Sequence, residues 1–251
     1  GPFAEGFESG PEVQELNDCS ALERAVRCLD QTPLTFTHKF GVLYIGHAQK
    51  FEHEILLNTC GSTLYEEFLS SLGTYVPLAM VTDDVYTGGL DRQSTKTGEF
   101  ALFWRSTLAQ CVFLVGTLMP NDLSKEANDE QIHKKRLIGN SHVKIVYSDS
   151  EEEFSLADLA GQFSLIVILV KPLPDRHFRI TALRNERVTP LGPIEDSLVV
   201  PMHALALTVR RMLIDSDIAA QMPNYSSNWQ DRLKQIGNIL DRHKGKSALT
   251  G

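Results

Sequence analysis

A short cationic segment followed by an asparagine is the part of the sequence whose residue types could do chemistry. It reads Lys134-Lys135-Arg136-Leu137-Ile138-Gly139-Asn140. Clustered cations can bind phosphate or an acidic protein surface, and a carboxamide can both donate and accept hydrogen bonds. The same cations would also complement the dipole at the end of a helix, and Gly-Asn is a common way for a helix to end. The spacing by itself favours this second, structural interpretation.

The segment lies at the end of a helix that the pattern predicts over residues 124–139. A serine that can act as N-cap precedes early acidic and late basic residues, and Gly139 suits the left-handed position just past a helix end. Between Lys125 and Arg136 only Ala127 and Ile132 are apolar. We therefore expect most faces of this helix to meet water or a partner, because it lacks a broad apolar stripe.

The order of the other elements predicts the fold class. Apolar and β-branched runs predict strands over residues 40–45, 99–105, 110–118, 142–147, 163–170 and 178–183. Helical spacing predicts helices over residues 11–29, 64–72, 200–214 and 227–243. Helices and strands in this order favour an α/β fold, with a central mixed β-sheet flanked by helices. A glycine-rich passage over residues 87–98 is either a subdomain boundary or a long loop of functional importance.

Composition excludes several classes of function. Lys and Arg number 24 against 32 Asp and Glu, for a net charge of −8, which argues against nucleic-acid binding. No apolar stretch approaches the roughly 20 residues that cross a bilayer, so no membrane insertion is expected. Four cysteines without CxxC spacing predict reduced thiols, no metal site and a cytoplasmic protein. We expect the chain to be part of a longer protein, because Gly1-Pro2 looks like the remnant of a protease site.

The cationic segment resembles the signature of the Rap/Ran-GAP domain family. In that signature a basic run, a histidine, an aliphatic residue, Gly, Asn and Asp lead into a strand. Residues 40–49, 88–91, 113, 117–120 and 161–163 are also similar to the family, so the resemblance spans about residues 39–173. Residues 117–120, 146–149 and 227–229 are most similar to the tuberin branch of the family, whose members act on the small GTPase Rheb.

The resemblance implies an activity, partners and a division of the chain. It implies a domain that stimulates GTP hydrolysis by a Rheb-like small GTPase, with Rap or Ral less favoured, and so down-regulates TOR signalling. Mg-GTP would be carried by the partner, so no cofactor of its own is expected. A hamartin-like scaffold would bind through the full-length protein, and any recruitment to endomembranes would come through partners. Residues 1–90 would form a smaller supporting or dimerisation-like α/β subdomain, and residues 91–251 the catalytic one.

The resemblance also assigns roles to the residues of the segment. Asn140 would be the catalytic "asparagine thumb", inserted into the nucleotide site of the partner. The expected partner-binding residues are His133, Lys134, Lys135, Arg136, Leu137 and Ser141. The chain has no GxxxxGK[ST] phosphate loop, so it is not expected to hydrolyse GTP alone.

Two departures from the family pattern leave an alternative open. Leu137 stands where many members have histidine, and Ser141 where most have aspartate. A non-catalytic module that binds a small GTPase, or serves as a scaffold, is therefore the alternative to a GTPase activator.

Overall fold

The computed structural model describes residues 16, 19–30, 36–121, 131–153, 165–186, 188, 197–221 and 228–243. The chain divides into two compact units. One unit comprises residues 36–225, and the other comprises residues 1–35 with residues 226–251. The larger unit contains the cationic segment and is the one that positions it.

An eight-stranded mixed sheet forms the centre of the larger unit. Its strands are β1 (Phe36–Ile45), β2 (Thr74–Pro77), β3 (Phe100–Arg105), β4 (Ala109–Val115), β5 (Val143–Ser148), β6 (Ile166–Leu173), β7 (His177–Arg184) and β8 (Ser197–Pro201). They lie in the order β2-β3-β4-β1-β5-β6-β7-β8. The central strands β4, β1, β5 and β6 are parallel, and the outer pairs are antiparallel. This arrangement confirms the predicted α/β class with a mixed sheet.

Helices flank the sheet, and two helices are described in the smaller unit. The larger unit contains α2 (Glu52–Leu56), α3 (Thr63–Leu72), α4 (Ile132–Gly139) and α5 (Met202–Gln221), whereas α1 (Ser20–Asp30) and α6 (Asn228–His243) belong to the smaller unit. None of the described helices combines the length and the apolar character needed to cross a membrane. Only the last two turns of the helix predicted over residues 124–139 are described, because residues 122–130 lie outside the described residues.

The two faces of the sheet bury different clusters, because successive side chains of a strand point to opposite faces. Phe40, Val42, Cys111 and Phe113 belong to the larger cluster, which includes side chains of α3 and α5. Val112 and Leu114, which alternate with them along β4, belong to a second cluster that contains Ile138 of α4. Helix α4 and helix α5 therefore cover opposite faces.

Strands from both sides of residue 90 belong to this one sheet. Strand β1 precedes residue 90, yet it pairs along its length with β4 and β5, and both of these strands follow residue 90. The backbone hydrogen bonds of β1 are satisfied by those strands, so the compact unit extends across the predicted boundary. A functional division of the chain at residue 90 stays a prediction.

Candidate functional site

Helix α4 lies close against the sheet because two glycines make room for it. Ile138 is 2% exposed. A Cβ atom on Gly41 of β1 would come within 2.8 Å of Ile138 Cγ2, and one on Gly116 would lie 3.3 Å from Ile138 Cδ1. These glycines therefore allow Ile138 to fix the end of α4 directly onto the sheet. A side chain at Gly41 would force the helix outward.

Lys134 fixes the first turn of the same helix from inside the protein. Its side chain is 2% exposed. The Nζ atom donates hydrogen bonds to the carbonyl oxygen of Leu56, at 2.9 Å, and to Oδ1 of Asn121, at 2.5 Å. Burial lowers the pKa of Lys134 to about 8. The structure thus places this lysine in the interior, rather than on the partner-facing surface that the sequence predicts for it.

Asn140 directly follows α4 and is exposed. Its backbone N–H donates to the carbonyl oxygen of Arg136 at 3.2 Å, and the N–H of Ser141 donates to that of Ile138 at 3.2 Å. These two bonds fix the main chain on both sides of the asparagine, while its carboxamide faces outward. Asn140 is therefore an exposed hydrogen-bonding group on a fixed backbone.

Asn140 lies beside the amino-terminal ends of β5 and β6, level with the middle of β1. Strand β5 begins at Val143, three residues after Asn140, and Val143 pairs with Phe40 of β1 and Ile166 at the start of β6. Ligands of open α/β sheets commonly bind at the opposite, carboxyl-terminal edge. The end of α4 reaches the start of β5 because the helix belongs to the connection from β4 to β5.

Gly139 does not have the left-handed conformation that the sequence predicts. It is the last residue of α4, and the described glycines with positive φ are Gly88, Gly89 and Gly98. A Cβ atom on Gly139 would meet nothing within 4 Å. The helix instead ends at Asn140, with φ −80° and ψ 12°, so packing within the domain does not require glycine at position 139.

A cleft of about 380 Å³ opens beside Asn140. It is lined by Lys39, Gly88, Gly89, Thr97, His133, Arg136, Leu137 and Asn140. A second cavity of about 360 Å³ shares Thr97, His133 and Leu137 with the cleft. None of the described residues that line the cleft carries a carboxylate, whereas Lys39 and Arg136 are cationic. The cleft therefore suits an anion or an acidic segment of a partner.

Leu137 forms the contact between α4 and the glycine-rich loop. Its side chain is half-buried, and its Cδ2 atom would lie 3.3 Å from a Cβ atom on Gly89. Gly89 has φ +105°, which side-chain-bearing residues rarely adopt. The loop thus lies directly on the helix, and Leu137 supports it through apolar contact with the cluster that also contains Leu90.

The remaining expected partner-binding residues divide between surface and interior. His133 and Arg136 are exposed and line the cleft. Lys135 is exposed and pairs with Glu52 of α2 at 2.6 Å. Ser141 is 0% exposed, so its side chain lies in the interior behind Asn140. The structure thus brings His133, Arg136, Leu137 and Asn140 to one cleft, and it places Lys134 and Ser141 beneath the surface.

Lys39, Thr97 and the two glycines of the loop also line the cleft, and sequence reasoning did not assign them to the site. Gly88 comes close to Lys39, since a Cβ atom there would lie 3.2 Å from Lys39 Cδ. The glycine-rich passage was predicted as a subdomain boundary or a functional loop, and that choice stays a prediction. Nothing local signalled Lys39, because it reaches the site from β1, about a hundred residues earlier in the chain.

A family model described as Rap/ran-GAP matches residues 55–238. A Drosophila melanogaster protein described as a probable Rho GTPase-activating protein is 31% identical over 246 residues, which cover 97% of this chain and 12% of that protein. Human Ral GTPase-activating protein subunit alpha-1 is 29% identical, over 88% of this chain and 11% of its own length. The tuberous sclerosis 2 protein homolog of Schizosaccharomyces pombe is 28% identical, over 96% of this chain and 19% of its own length.

The solved structure of the TSC2 GAP domain has the same fold. It superposes with a TM-score of 0.66 at 31% sequence identity, covering 74% of this chain and 97% of that one. These matches confirm the predicted resemblance to the family and to its tuberin branch. The chain spans only 11% to 19% of the length of the three curated relatives named above. The family model and the shared fold show that this chain belongs to the Rap/Ran-GAP family.

Proposed function

We propose that this domain stimulates GTP hydrolysis by a small GTPase of the Rheb type, with Asn140 as the catalytic residue supplied in trans. The observation that carries the proposal is the position of Asn140 in a chain of this family. Its carboxamide is exposed on a backbone fixed by hydrogen bonds, and it borders a cleft whose described lining residues carry no carboxylate. A group that must reach into the nucleotide site of another protein needs both properties.

The chemistry requires little beyond positioning and charge stabilisation. GTP hydrolysis needs a water molecule in line with the γ-phosphate and stabilisation of charge on the phosphoryl oxygens. An asparagine carboxamide can orient that water as the glutamine of Ras-type proteins does, because it carries the same donor and acceptor groups. A neutral side chain also avoids repulsion by the triphosphate. Asn140 would therefore complete a catalytic site whose nucleotide and Mg²⁺ come with the partner.

The cations of the cleft would contribute to binding. Arg136 and Lys39 line the cleft beside Asn140. Each would meet acidic surface or phosphate of the docked GTPase, which speeds association and fixes orientation. Ionic strength should therefore weaken the encounter more than the hydrolysis step.

The relatives support two candidates for the preferred GTPase. Similarity to the TSC2 GAP domain and to the Schizosaccharomyces pombe homolog supports a Rheb-type partner, TOR down-regulation and a hamartin-like scaffold bound by the full-length protein. Similarity to Ral GTPase-activating protein subunits alpha-1 and alpha-2, at 29% and 30% identity, supports Ral as the second candidate. A cytoplasmic domain would reach endomembranes through its partners.

Single-turnover GTP hydrolysis tests the proposal. Rheb, Ral and Rap would each be loaded with GTP and mixed with the wild-type domain, with Asn140→Ala, or with His142→Ala. His142 is a matched control, because it is exposed two residues further on and does not line the cleft. We expect Asn140→Ala to lose about a hundredfold or more of the acceleration while still binding, and His142→Ala to keep it.

Each of the other possible outcomes would contradict one part of the proposal. Equal activity of the wild type and Asn140→Ala would remove Asn140 from the mechanism. Acceleration of Ral alone would replace the Rheb assignment. Binding of a GTPase without acceleration of any of the three would favour the non-catalytic module.

A further inference from the structure

The helix that carries Asn140 is too short to hold its own position. Helix α4 has eight residues, whereas isolated helices shorter than about 12 residues are marginal in water. Of these eight residues, only Lys134 and Ile138 are buried. They are four positions apart and so lie on the same face, one turn from each other. The orientation of the helix therefore depends on what these two side chains contact.

The two buried side chains fasten the helix by different means. Ile138 packs against the sheet over Gly41 and Gly116. Lys134 instead donates to two neutral oxygens, the carbonyl of Leu56 at the end of α2 and Oδ1 of Asn121 after β4. Hydrogen bonds are directional, so they define both a distance and an angle for the first turn of α4. Lys134 thus adds directional contacts at the start of α4 to the apolar contacts that Leu137 and Ile138 make near its end.

Burial of the Lys134 ammonium group is unfavourable for the stability of the fold, so stability does not explain why a lysine is present here. The described residues provide Lys134 with no carboxylate partner, and an apolar residue of similar length would be cheaper to bury. Its pKa is lowered to about 8 by burial, as expected for a charge held away from water. Retaining a lysine here makes sense if the geometry that it imposes is needed.

We infer that Lys134 is a positioning residue for Asn140: its buried ammonium group fastens the start of the helix so that the carboxamide at the end points correctly. The inference rests on the proposed function of Asn140. Six residues separate the two, which is about 9 Å along a helix. A small rotation of α4 about Lys134 therefore displaces the side chain of Asn140. A misplacement of about 1 Å can cost a hundredfold in rate.

The test compares Lys134→Met with Lys50→Met. Lys50 is an exposed lysine that pairs with Glu152 at 2.5 Å, so this control removes one charge from the surface. Two measurements are made. Hydrogen exchange of the free domain reports on the α4 amides, including those of Lys135 and Asn140, which donate to Gln131 and Arg136. Single-turnover hydrolysis over a range of domain concentrations separates the maximal rate from the half-saturating concentration.

We expect Lys134→Met to lower the maximal rate by about ten- to a hundredfold, with the half-saturating concentration within about threefold of wild type. Exchange should accelerate in α4 and remain unchanged in β1 and β5, and Lys50→Met should behave as wild type. Asn121→Leu should reproduce part of the loss and add little to Lys134→Met, because both remove the same hydrogen bond.

Several results would overturn the inference. Lys134→Met could keep the wild-type rate and α4 protection, or exchange could accelerate equally throughout residues 36–221, which would indicate a role in stability alone. Fully additive losses for Lys134→Met and Asn121→Leu would show that their hydrogen bond does not carry the effect. If the wild type activates no GTPase, the proposed function fails, and hydrogen exchange still decides whether Lys134 fastens α4.

Discussion

Gly41 and Ile138 are in such close contact that β1 cannot carry a side chain at this point. A Cβ atom on Gly41 would lie 2.8 Å from Ile138 Cγ2 and 3.1 Å from the Ile138 carbonyl oxygen. The second of these is a main-chain atom, so a rotamer change cannot relieve the clash. The distance of helix α4 from the sheet is therefore set by a glycine about a hundred residues earlier in the chain.

Gly41→Ala should displace α4 and with it Asn140. We expect a loss of about 1–3 kcal/mol in the free energy of unfolding, as for other overpacked cores, together with at least a tenfold loss of GTPase activation. Gly46→Ala is the control, since a Cβ atom there has its nearest contact, with Gln49 Oε1, at 3.4 Å. Urea unfolding and single-turnover hydrolysis measure the two effects. Wild-type activity in Gly41→Ala would show that Asn140 tolerates displacement of its helix.

Gly139→Ala should separate stability from activity. A methyl group there meets nothing within the domain, and alanine favours a helix over glycine by up to about 1 kcal/mol. We therefore expect a slightly more stable protein with weaker GTPase activation, because the methyl group would occupy the space beside Asn140 through which a partner approaches. The two properties are measured by thermal unfolding and by hydrolysis at low domain concentration.

Gly237→Ala is the control for this prediction. A methyl group at this position in α6 also meets nothing within 4 Å. It should increase helicity in circular dichroism and leave activity unchanged. If Gly139→Ala also left activity unchanged, the GTPase would not approach from that side.

The buried lysines should make the free energy of unfolding rise with pH. Burial lowers the pKa of Lys134 and of Lys144 from 10.5 to about 8. Between about pH 8 and pH 10.5 the lysines of the unfolded chain hold protons that those of the folded chain have released. The free energy of unfolding therefore increases as pH rises through this window. Below about pH 8 both states are protonated, and the cost of burying the charge is fully present.

Lys134→Met should flatten this dependence. Each lysine contributes at most about 3 kcal/mol across the window, so the variant should lose about half of the rise measured by urea unfolding between about pH 7.5 and 9.5. Lys50→Met provides the comparison, because its lysine is exposed. An identical slope in Lys134→Met and wild type would show that the Lys134 pKa in the folded protein is close to its ordinary value.

The buried pair of His38 and Asp217 should matter for stability and not for activity. His38 Nδ1 lies 2.8 Å from Asp217 Oδ2, and the pair joins β1 to α5 on the face opposite to α4. Asp217→Ala should cost about 2–4 kcal/mol, since it leaves a buried histidine without its partner. Asp217→Asn should cost less, because its amide retains an acceptor.

Activity per folded molecule is the second measurement for Asp217→Ala. We expect it to stay within about twofold of wild type at a temperature where the variant is fully folded, because α4 contacts the other face of the sheet. A large loss of activity with intact folding would show that the two faces are coupled.

The sequence by itself determined the family, the α/β class and the position of Asn140 at the end of a helix. These features are local: strands appear as apolar runs, and the helix end appears as a cationic turn followed by Gly-Asn. They are therefore visible in one stretch of residues. The same local reasoning assigned Gly139 a left-handed conformation that it does not have, because helix ends can also close without one.

Only the tertiary structure decided which side chains of that segment are exposed and which are buried. Lys134 and Lys135 are adjacent and identical in type, yet one is buried and the other is exposed. A helix advances about 100° per residue, so neighbours point in different directions, and the phase depends on what lies beneath the helix. Here Gly41, Gly116 and the oxygens of Leu56 and Asn121 set that phase. They come from distant parts of the chain, and no pattern within residues 131–141 records them.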